Sequence, residues 1–145
     1  LRDFETLSAG DRAKRDGLAV GKKVVASSST TQGGETYPAA LAVDGDTGTR
    51  WSSDFSDPQW IAVDLGAPPR VSRVELEWEA AYGKAYKIQV STDGETWTDV
   101  HATDAGKGGL EVIRFAPVET RWIRYHGTAR GTQFGHSLWE LRVFP

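Results

Sequence analysis

The sequence contains no cysteine, no methionine and no asparagine. These absences exclude disulfide bonds, thiol catalysis, cysteine-ligated metals and asparagine-linked glycans. No run approaches about 18 consecutive apolar residues, so no membrane-spanning helix is predicted. The 17 Lys and Arg residues are nearly balanced by 20 Asp and Glu residues, and the net charge of -3 does not favour binding to nucleic acid or to anionic lipid.

Aromatic residues are abundant instead, with six Trp, four Tyr and five Phe. Such large, rigid side chains must either fill a core or line a surface, and we expect some of them to be exposed for binding. The length of 145 residues suits a single domain. Because the chain begins at Leu1 without an initiator methionine, we expect it to be a piece excised from a longer protein.

The first 17 residues differ from the rest in their density of charge. Ser8 and Asp11 have the spacing of a capping box and Gly17 is a suitable helix stop, which predicts a short N-terminal helix. We interpret residues 1–17 as a linker or helical extension from a preceding domain, and residues 18–145 as the folded domain. A basic amphipathic helix that binds a membrane or a partner is the alternative.

Beyond residue 18 the apolar residues alternate with polar ones, as in β-strands. Val74, Leu76 and Trp78 alternate with glutamates, which predicts a strand with one face on a core and the other in water. Further strands are predicted at residues 20–27, 60–65, 86–90, 112–115, 122–126 and 138–144, with another opening at Trp97. About eight short strands separated by turns favour an all-β fold, an antiparallel β-sandwich or jelly roll.

The sequence shows no catalytic signature. It has no Gly-x-Ser-x-Gly elbow and no complete phosphate-binding loop, and its three histidines match no zinc motif. Glu75, Glu77 and Glu79 have the spacing of a glycosidase pair, but the solvent face of a strand offers no cleft that would raise one carboxyl pKa. We expect Lys87 on the next strand to neutralise part of this row, and we predict no catalytic residue.

The turn at residues 44–49 crowds oxygen ligands together. Asp44, Asp46 and Thr49 could bind a hard cation such as Ca²⁺, although the spacing is not that of an EF-hand. The carboxylates could equally bond only to backbone amides, as in an Asx turn. The spacing alone leaves both interpretations open.

Arg50 and several aromatic rings flank a polar loop at residues 52–58. A ring stacks on the apolar face of a sugar, and a planar guanidinium holds two vicinal hydroxyls, so this combination points to recognition of a saccharide. We interpret Trp51 and Trp60 as core residues, because aromatic residues in strands usually pack. Phe55, which lies among polar residues, is the candidate for exposure.

Several ordered blocks resemble the discoidin or coagulation-factor type C domains, and within them the family 32 carbohydrate-binding modules. The resemblance runs from about Leu18 to Pro145. Its blocks are ASS (26–28), AVDGD (42–46), TRW (49–51), PQWIAVDLG (58–66), IQVS (88–91), RWIRY (121–125) and SLWEL (137–141), with Asp93-Gly94 and Trp97.

This resemblance implies a discoidin-like jelly roll whose chain ends lie close together, with a structural Ca²⁺ under the loops. The implied ligands are the side chains of Asp44, Thr49 and Glu140, together with Asp46 and backbone carbonyls near Leu41 and Trp139. The implied sugar site lies on loops at one end of the sandwich. Its residues would be Arg50, Phe55, Glu79, Glu35, Tyr37, Tyr82, Phe134 and His136, where some similar modules carry Tyr in place of Phe55 and of His136.

The WEAA block at residues 78–81 and the SLWE ending are similar to modules appended to bacterial β-1,3-glucanases and chitosanases. The resemblance therefore implies a non-catalytic module of a secreted bacterial enzyme, and we expect the module to be monomeric. It would bind β-glucan or chitosan-type polysaccharide and share its chain with a catalytic domain. A discoidin domain that binds a membrane surface or a protein is the alternative, but lipid-binding relatives use basic residues and a disulfide that this chain lacks.

Overall fold

The computed structural model describes residues 15–145. Of the N-terminal helix, predicted over residues 9–15, only Arg15 falls within this range; it is helical, as is Asp16 after it. Gly17 follows them with φ +89°, as expected of a helix stop. The rest of that prediction lies within residues 1–14, outside the described residues.

After the two helical residues Arg15 and Asp16, the regular structure up to residue 145 consists of eleven β-strands and one short 3₁₀ turn, Ala39–Ala42. The strands are β1 (Lys23–Ala26), β2 (Thr31–Gln32), β3 (Glu35–Thr36), β4 (Trp51–Ser52), β5 (Gln59–Asp64), β6 (Arg70–Trp78), β7 (Gly83–Ser91), β8 (Thr98–Thr103), β9 (Leu110–Glu119), β10 (Trp122–Arg130) and β11 (Ser137–Phe144). No helix in this part of the chain is long and apolar enough to cross a membrane.

The strands form an antiparallel β-sandwich, as predicted. One sheet has the order β1-β5-β10-β7-β8, the other has the order β4-β11-β6-β9, and β2 and β3 form a separate hairpin. All eight strands predicted from alternation are present. The three that the sequence did not indicate, β2, β3 and β4, have two residues each.

The core lies between the two larger sheets and is filled by alternate residues of their strands. Ile61 of β5, Leu76 of β6, Tyr125 of β10 and Leu138 of β11 are all fully buried there. Trp51 of β4 is also fully buried, which confirms its interpretation as a core residue. This packing buries the inward row of each strand and leaves the outward row to polar or amphipathic side chains.

The interpretation of Trp60 as a core residue is wrong. Its neighbour Ile61 faces inward, so Trp60 lies on the outer face of the five-stranded sheet, where it is half-buried. The guanidinium of Arg124 lies 5.8 Å from the Trp60 ring and 4.1 Å from the Trp97 ring. The long Arg124 side chain thus covers two tryptophans outside the core through cation–π contacts.

The glutamates of β6 face outward, as predicted, but their partner is not Lys87. Arg142 of β11 donates a 2.7 Å hydrogen bond to Glu77 and lies 3.7 Å from Glu75. Lys87 belongs to the other sheet and pairs with Asp99 at 3.2 Å. Arg142 therefore neutralises the carboxylates of Glu75 and Glu77 from the neighbouring strand of the same sheet.

A bidentate ion pair fixes the end of β5 to the turn before β10. Arg121 donates from Nε and Nη2 to the two carboxylate oxygens of Asp64, at 2.9 and 2.8 Å. The Gly66 amide donates to the same carboxylate, and the Leu65 amide donates to the Arg121 carbonyl at 2.7 Å. Side-chain and backbone hydrogen bonds therefore act together to fix the position of Arg121 relative to the end of β5.

We predict that Asp64→Asn destabilises the domain at neutral pH but not in strong acid. Hydrogen bonds from Arg121, opposed by burial and helped by Gly66, lower the pKa of Asp64 to about 2. The stabilisation is therefore present above a pH of about 4, the usual range of an unfolded Asp, and is lost as the pH falls through 2. The Arg121 side chain is 52% exposed, so we expect a loss of only about 1 kcal/mol at pH 7.

Urea denaturation of both proteins between pH 7 and pH 2 measures this difference. Asp104→Asn, which changes an exposed carboxylate in the loop after β8, is the control and should match the wild type. A deficit of Asp64→Asn that persisted unchanged at pH 2 would contradict the prediction.

Candidate functional site

Four loop segments meet at one end of the sandwich. They are the β2–β3 hairpin, residues 53–58 after β4, residues 79–82 between β6 and β7, and residues 131–136 between β10 and β11. Backbone hydrogen bonds connect the last three: the Ser53 amide donates to the His136 carbonyl, and the Ser137 amide donates to the Ala81 carbonyl, both at 2.9 Å. Next to the hairpin, the Ser52 amide donates to the Tyr37 carbonyl at 3.1 Å. The loops therefore pack together and form one surface.

A cavity of about 190 Å³ opens between these loops, and we call it the Phe55 cavity. It is lined by Gln32, Arg50, Ser52, Phe55, Glu79, Ala80, Ala81 and Phe134. Four of the residues predicted for the sugar site, Arg50, Phe55, Glu79 and Phe134, thus lie together in it. Ser52 was not predicted, because the two residues of β4 are too few to show a period.

Two phenylalanines form one wall of the Phe55 cavity. The rings of Phe55 and Phe134 meet edge to face, with centroids 5.7 Å apart and an interplanar angle of 81°. Phe55 is 43% exposed and Phe134 is 48% exposed. An exposed aromatic pair beside polar groups is typical of a binding surface.

Arg50 is held in place by three contacts. Its Nη1 donates a 2.8 Å hydrogen bond to the Ser137 hydroxyl, and its guanidinium lies 4.2 Å above the Tyr37 ring and 5.9 Å from the Trp139 ring. A guanidinium has five N–H groups. The described contacts therefore fix its plane and leave donors for a ligand.

Glu79 directly follows β6, and its side chain turns back onto the loop at residues 79–82. Its Oε1 accepts a 2.9 Å hydrogen bond from the Ala81 amide, which orients the carboxylate at the cavity wall. A carboxylate held through one oxygen can accept hydrogen bonds from a ligand at the other.

Glu35 and Tyr37 do not line the Phe55 cavity. They lie in a second cavity of about 300 Å³, which we call the Tyr37 cavity. It is lined by Glu35, Thr36, Tyr37, Leu41, Gly48, Thr49, Arg50 and Trp139. Arg50 lines both cavities, so the predicted set of sugar contacts is divided into two groups on either side of one guanidinium.

Tyr82 does not line either cavity. It is half-buried and packs against the core, and a Cβ at Gly108 would lie 3.2 Å from its ring. Gly131 also lies directly against this ring. Tyr82 therefore supports the loops from beneath, and its predicted role as a sugar contact does not agree with its position.

His136 is fully buried, which excludes the direct sugar contact predicted for it. Its ring nitrogens instead bond to Tyr125 Oη at 2.7 Å and to Asp57 Oδ1 at 2.8 Å. A carboxylate can only accept, so Nε2 donates to Asp57 and Nδ1 accepts from the Tyr125 hydroxyl. Asp57 Oδ2 also accepts a 3.0 Å hydrogen bond from Arg130.

Burial and hydrogen bonding set the charges of this network. Burial lowers the pKa of His136, although Asp57 opposes this effect, so the imidazole is neutral at neutral pH. Partial burial raises the pKa of Asp57, but hydrogen bonds from His136 and Arg130 more than compensate, and its pKa is lowered overall. A neutral His136 matches the hydrogen-bond pattern, in which it donates once and accepts once.

The residues implied as calcium ligands come together beneath the Tyr37 cavity. Thr49 Oγ1 donates to the Asp44 carboxylate and lies 3.1 Å from the Asp46 carbonyl. Asp46 Oδ1 accepts from the Gly48 amide at 2.8 Å, so its carboxylate closes the turn and its carbonyl faces the cluster. Leu41, Thr49 and Trp139 also line the cavity above.

Glu140 completes this cluster from β11. It is almost fully buried and its Oε1 has no hydrogen-bond partner within residues 15–145. Burial, and then the neighbouring Asp44 carboxylate, raise the pKa of Glu140 to about 9. Two carboxylates, a hydroxyl and carbonyls form the all-oxygen donor set that suits Ca²⁺, and an unpartnered buried oxygen fits such an ion. Residues 15–145 contain no group of three or more His, Asp and Glu side chains that could hold a metal, so the site would depend on the hydroxyl and the carbonyls as well.

The family model of the F5/8 type C domain matches residues 23–141, from the first residue of β1 into β11. The chain is also 39% identical over 87 residues to the polysaccharide lyase 8 family protein HylA of Enterococcus faecalis. That match spans 58% of this chain but only 6% of the length of the lyase.

Solved structures of similar size match over almost their whole length. Chitosan-binding module 1 of a chitosanase/glucanase from Paenibacillus sp. IK-5 is 45% identical, with a TM-score of 0.83, over 88% of this chain and 98% of that chain. Chitosan-binding module 2 of the same enzyme, solved in complex with chitotriose, is 41% identical, with a TM-score of 0.82, over 88% and 99% of the two chains.

We predict that Gly127→Ala destabilises the loop end of the domain. A Cβ at Gly127 would lie 2.7 Å from His136 Nδ1 and even closer to Tyr125 Oη. Both neighbours are fully buried and cannot move away without breaking their hydrogen bond. We expect a loss of about 2 kcal/mol or more in the free energy of unfolding, as in other overpacked cores.

Chemical denaturation measures this loss. Thr128→Ala, at the exposed neighbouring position of β10, is the control and should change stability by less than about 0.5 kcal/mol. Equal stabilities of Gly127→Ala and the wild type would show that the space beside His136 is not filled as described.

Proposed function

The chain belongs to the F5/8 type C domain family, and on that premise we propose that it is a carbohydrate-binding module that takes glucosamine-containing polysaccharide at the Phe55 cavity. The observation that carries the proposal is the convergence of Phe55, Phe134, Arg50 and Glu79 on one cavity. The aromatic pair offers apolar surface to a sugar ring, Arg50 offers a planar fork for hydroxyls, and Glu79 offers an acceptor.

The carboxylates favour an amino sugar over a neutral glucan. A glucosaminyl residue carries an ammonium group, which forms a charge-assisted hydrogen bond with a carboxylate. Glu79 lines the Phe55 cavity and Glu35 lies close by in the Tyr37 cavity. The likeness to two chitosan-binding modules supports the same substrate class, and β-glucan is the second choice.

The module has no catalytic role in this proposal. Glycoside hydrolysis uses a pair of carboxyl groups across the scissile bond. Glu79 is the one carboxylate among the residues that line the Phe55 cavity, and its neighbours there are apolar, neutral or cationic. The geometry supports binding without turnover.

The module would act by holding an attached catalytic domain near its substrate. Tethering raises the effective concentration of the enzyme on the polysaccharide even when each site binds weakly. The matches to a module of a chitosanase/glucanase and to a small part of a polysaccharide lyase support a parent of this kind. We propose a secreted bacterial parent enzyme and a monomeric module.

We propose that the module also holds a structural Ca²⁺. Asp44, Thr49 and Glu140 would bind it with their side chains, and Asp46, Leu41 and Trp139 with carbonyls. The ion would neutralise the two carboxylates and cross-link the turn at residues 44–49 to β11. The unpartnered Oε1 of the buried Glu140 supports this assignment.

A second candidate function is binding to a membrane surface. The exposed Phe55 and Phe134 rings at the loop tips favour it, because apolar side chains on loops can insert into a bilayer. Co-sedimentation with anionic vesicles at low salt would support this candidate. Binding to soluble oligosaccharide without co-sedimentation would support the module proposed above.

We predict that the wild type binds glucosamine oligosaccharides and that Glu79→Gln weakens this binding by about tenfold. The substitution keeps the shape of the side chain and its contact with the Ala81 amide but removes the charge, which is worth about 1.4 kcal/mol in a charge-assisted bond. Isothermal titration calorimetry against oligomers of glucosamine, N-acetylglucosamine and β-1,3-glucose measures the affinities and their ranking.

Glu119→Gln is the matched control for this experiment. Glu119 is an exposed glutamate at the end of β9 that pairs with Arg70, at the opposite end of the sandwich, so its substitution should not alter binding. Failure of the wild type to bind any oligosaccharide, with the fold intact, would contradict the proposed function. Equal effects of both substitutions would place the site elsewhere.

We predict that removal of Ca²⁺ by a chelator lowers the melting temperature of the wild type. An ion bound only by the folded state stabilises it by about 2.7 kcal/mol at a concentration one hundred times its Kd. Added Ca²⁺ should restore the melting temperature, and Mg²⁺ should not, because Mg²⁺ demands a smaller and more regular site. Asp44→Asn should abolish the response and Asp104→Asn should keep it. A chelator-insensitive wild type would contradict the calcium assignment.

A further inference from the structure

We propose that the outer face of the five-stranded sheet holds a separate binding site, centred on Arg124, for the carboxylate of a uronate residue in an acidic polysaccharide. The site lies on a sheet face rather than on the loops and takes a ligand of opposite charge, so it does not rest on the function proposed above. Trp60 of β5, Lys87 of β7 and His126 of β10 surround Arg124, and Trp97 lies against its guanidinium.

The strand register brings these side chains together. Arg124 and His126 are two residues apart on β10 and therefore share one face of the sheet. Tyr125 between them is fully buried, which makes that face the outer one. His126 is paired with Trp60 of β5 on one side and with Lys87 of β7 on the other. Backbone pairing across three strands therefore sets the position of the site.

Arg124 is held in place but keeps free donors. Its Nε donates a 2.9 Å hydrogen bond to Gln89, and its guanidinium lies 4.1 Å from the Trp97 ring and 5.8 Å from the Trp60 ring. Within residues 15–145 its two Nη atoms have no hydrogen-bond partner. Burial lowers the pKa of Arg124, and the charge of Asp99 offsets this effect only in part. A bound carboxylate would supply the counter-charge through two parallel hydrogen bonds to the guanidinium.

Asp99 of β8 cannot fill this role because both of its oxygens are engaged. Its Oδ1 accepts a 2.8 Å hydrogen bond from Gln89, and its Oδ2 lies 3.2 Å from Lys87 Nζ. The Lys87 side chain is nevertheless 44% exposed, so its ammonium group can also reach a ligand. The two cations thus face solvent on one sheet with a single carboxylate shared between neutral and charged partners.

His126 shows the same excess of positive charge. Its Nδ1 is buried and has no hydrogen-bond partner within the described residues 15–145. Burial, and then the charges of Arg124 and Lys87, lower the pKa of His126, while Asp99 opposes them. The imidazole is therefore neutral at neutral pH. An anion beside Arg124 would remove the repulsion that keeps it so.

The surroundings favour a uronate over other carboxylates. Trp60 and Trp97 are half-buried, so each indole leaves part of its surface beside the guanidinium, where the apolar face of a sugar ring can pack. An open sheet face also lets an extended polymer pass across it. Neutral sugars lack the group that Arg124 binds in this proposal, and glucosamine carries a charge that Arg124 repels.

Titration with a galacturonate trisaccharide, followed by two-dimensional NMR, tests the site. The indole N–H resonances of Trp60 and Trp97 should shift in the wild type. Arg124→Gln should weaken binding about tenfold, because it removes both the charge and the planar fork. Lys87→Gln, which leaves the tryptophan contacts of Arg124 in place, should weaken it about threefold. Melting temperatures check that each variant is folded.

Arg114→Gln is the matched control for these variants. Arg114 is an exposed arginine on β9 of the other sheet, so its substitution should not alter uronate binding. The methyl ester of the same trisaccharide should not bind, because it lacks the carboxylate. Triglutamate and acetate, at equal carboxylate concentration, should bind at least about fivefold more weakly, because they offer no sugar ring to the tryptophans.

The pH dependence of uronate binding gives a second readout. A bound carboxylate favours the protonated imidazole, so affinity should rise about threefold as the pH falls from about 7.5 to about 5.5, where a sugar carboxylate stays ionised. Asp99 also stays ionised, since hydrogen bonds from Gln89 and then Lys87 lower its pKa. His126→Gln should bind equally at both pH values.

The outcomes separate this inference from the proposed function. Absence of uronate binding, unchanged binding by folded Arg124→Gln, or shifts confined to the loop resonances would overturn the site at Arg124. Equal binding of the ester, of triglutamate or of acetate would overturn the assignment to a uronate. Glucosamine oligosaccharides should lose affinity in Glu79→Gln and keep it in Arg124→Gln. Their failure to bind the wild type would overturn the function proposed for the loops and leave the uronate site standing.

Discussion

The hydrogen bonds of His136 connect the core of the sandwich to the loops that form the binding surface. One ring nitrogen bonds to Tyr125, which is fully buried between the sheets, and the other bonds to Asp57, which also binds Arg130. The loops that carry Phe55 and Phe134 are thereby fixed to a core residue. Loops that must be ordered on binding cost affinity, so a network that orders them beforehand favours even a shallow site.

The alternation of apolar and polar residues was sufficient to predict the sheets, because each long strand buries one complete row of side chains. It could not predict β2, β3 and β4, since two residues show no period and these strands depend on partners far along the chain. Trp60 was assigned to the core because aromatic residues in strands usually pack. It does pack, but against Arg124 on the outer face of its sheet.

The sequence could predict those residues of the candidate site whose role follows from their chemical type. It could not predict those whose role depends on the direction in which the side chain points. Arg50, Phe55 and Glu79 were identified by type and by family resemblance, and they do line one cavity. His136 was misassigned because the glycine-rich segment at residues 131–136 has no periodicity that shows which way a side chain points. A signal was nevertheless present in Gly127, since a glycine at an inward position of a strand indicates that a neighbouring group fills its space.

The positions of the charged side chains along the loop surface restrict which ligand groups can bind next to one another. Arg50 separates two cavities, each of which carries a carboxylate, Glu79 in one and Glu35 in the other. Ammonium groups are attracted toward the carboxylates and repelled from the guanidinium, which prefers hydroxyls. A polymer with one amine on each ring can satisfy both carboxylates only in a register that brings hydroxyls to Arg50. In the proposed function, this alternation of charges would favour a polymer with an ammonium group on each ring, because N-acetylation removes that charge and neutral glucans lack it.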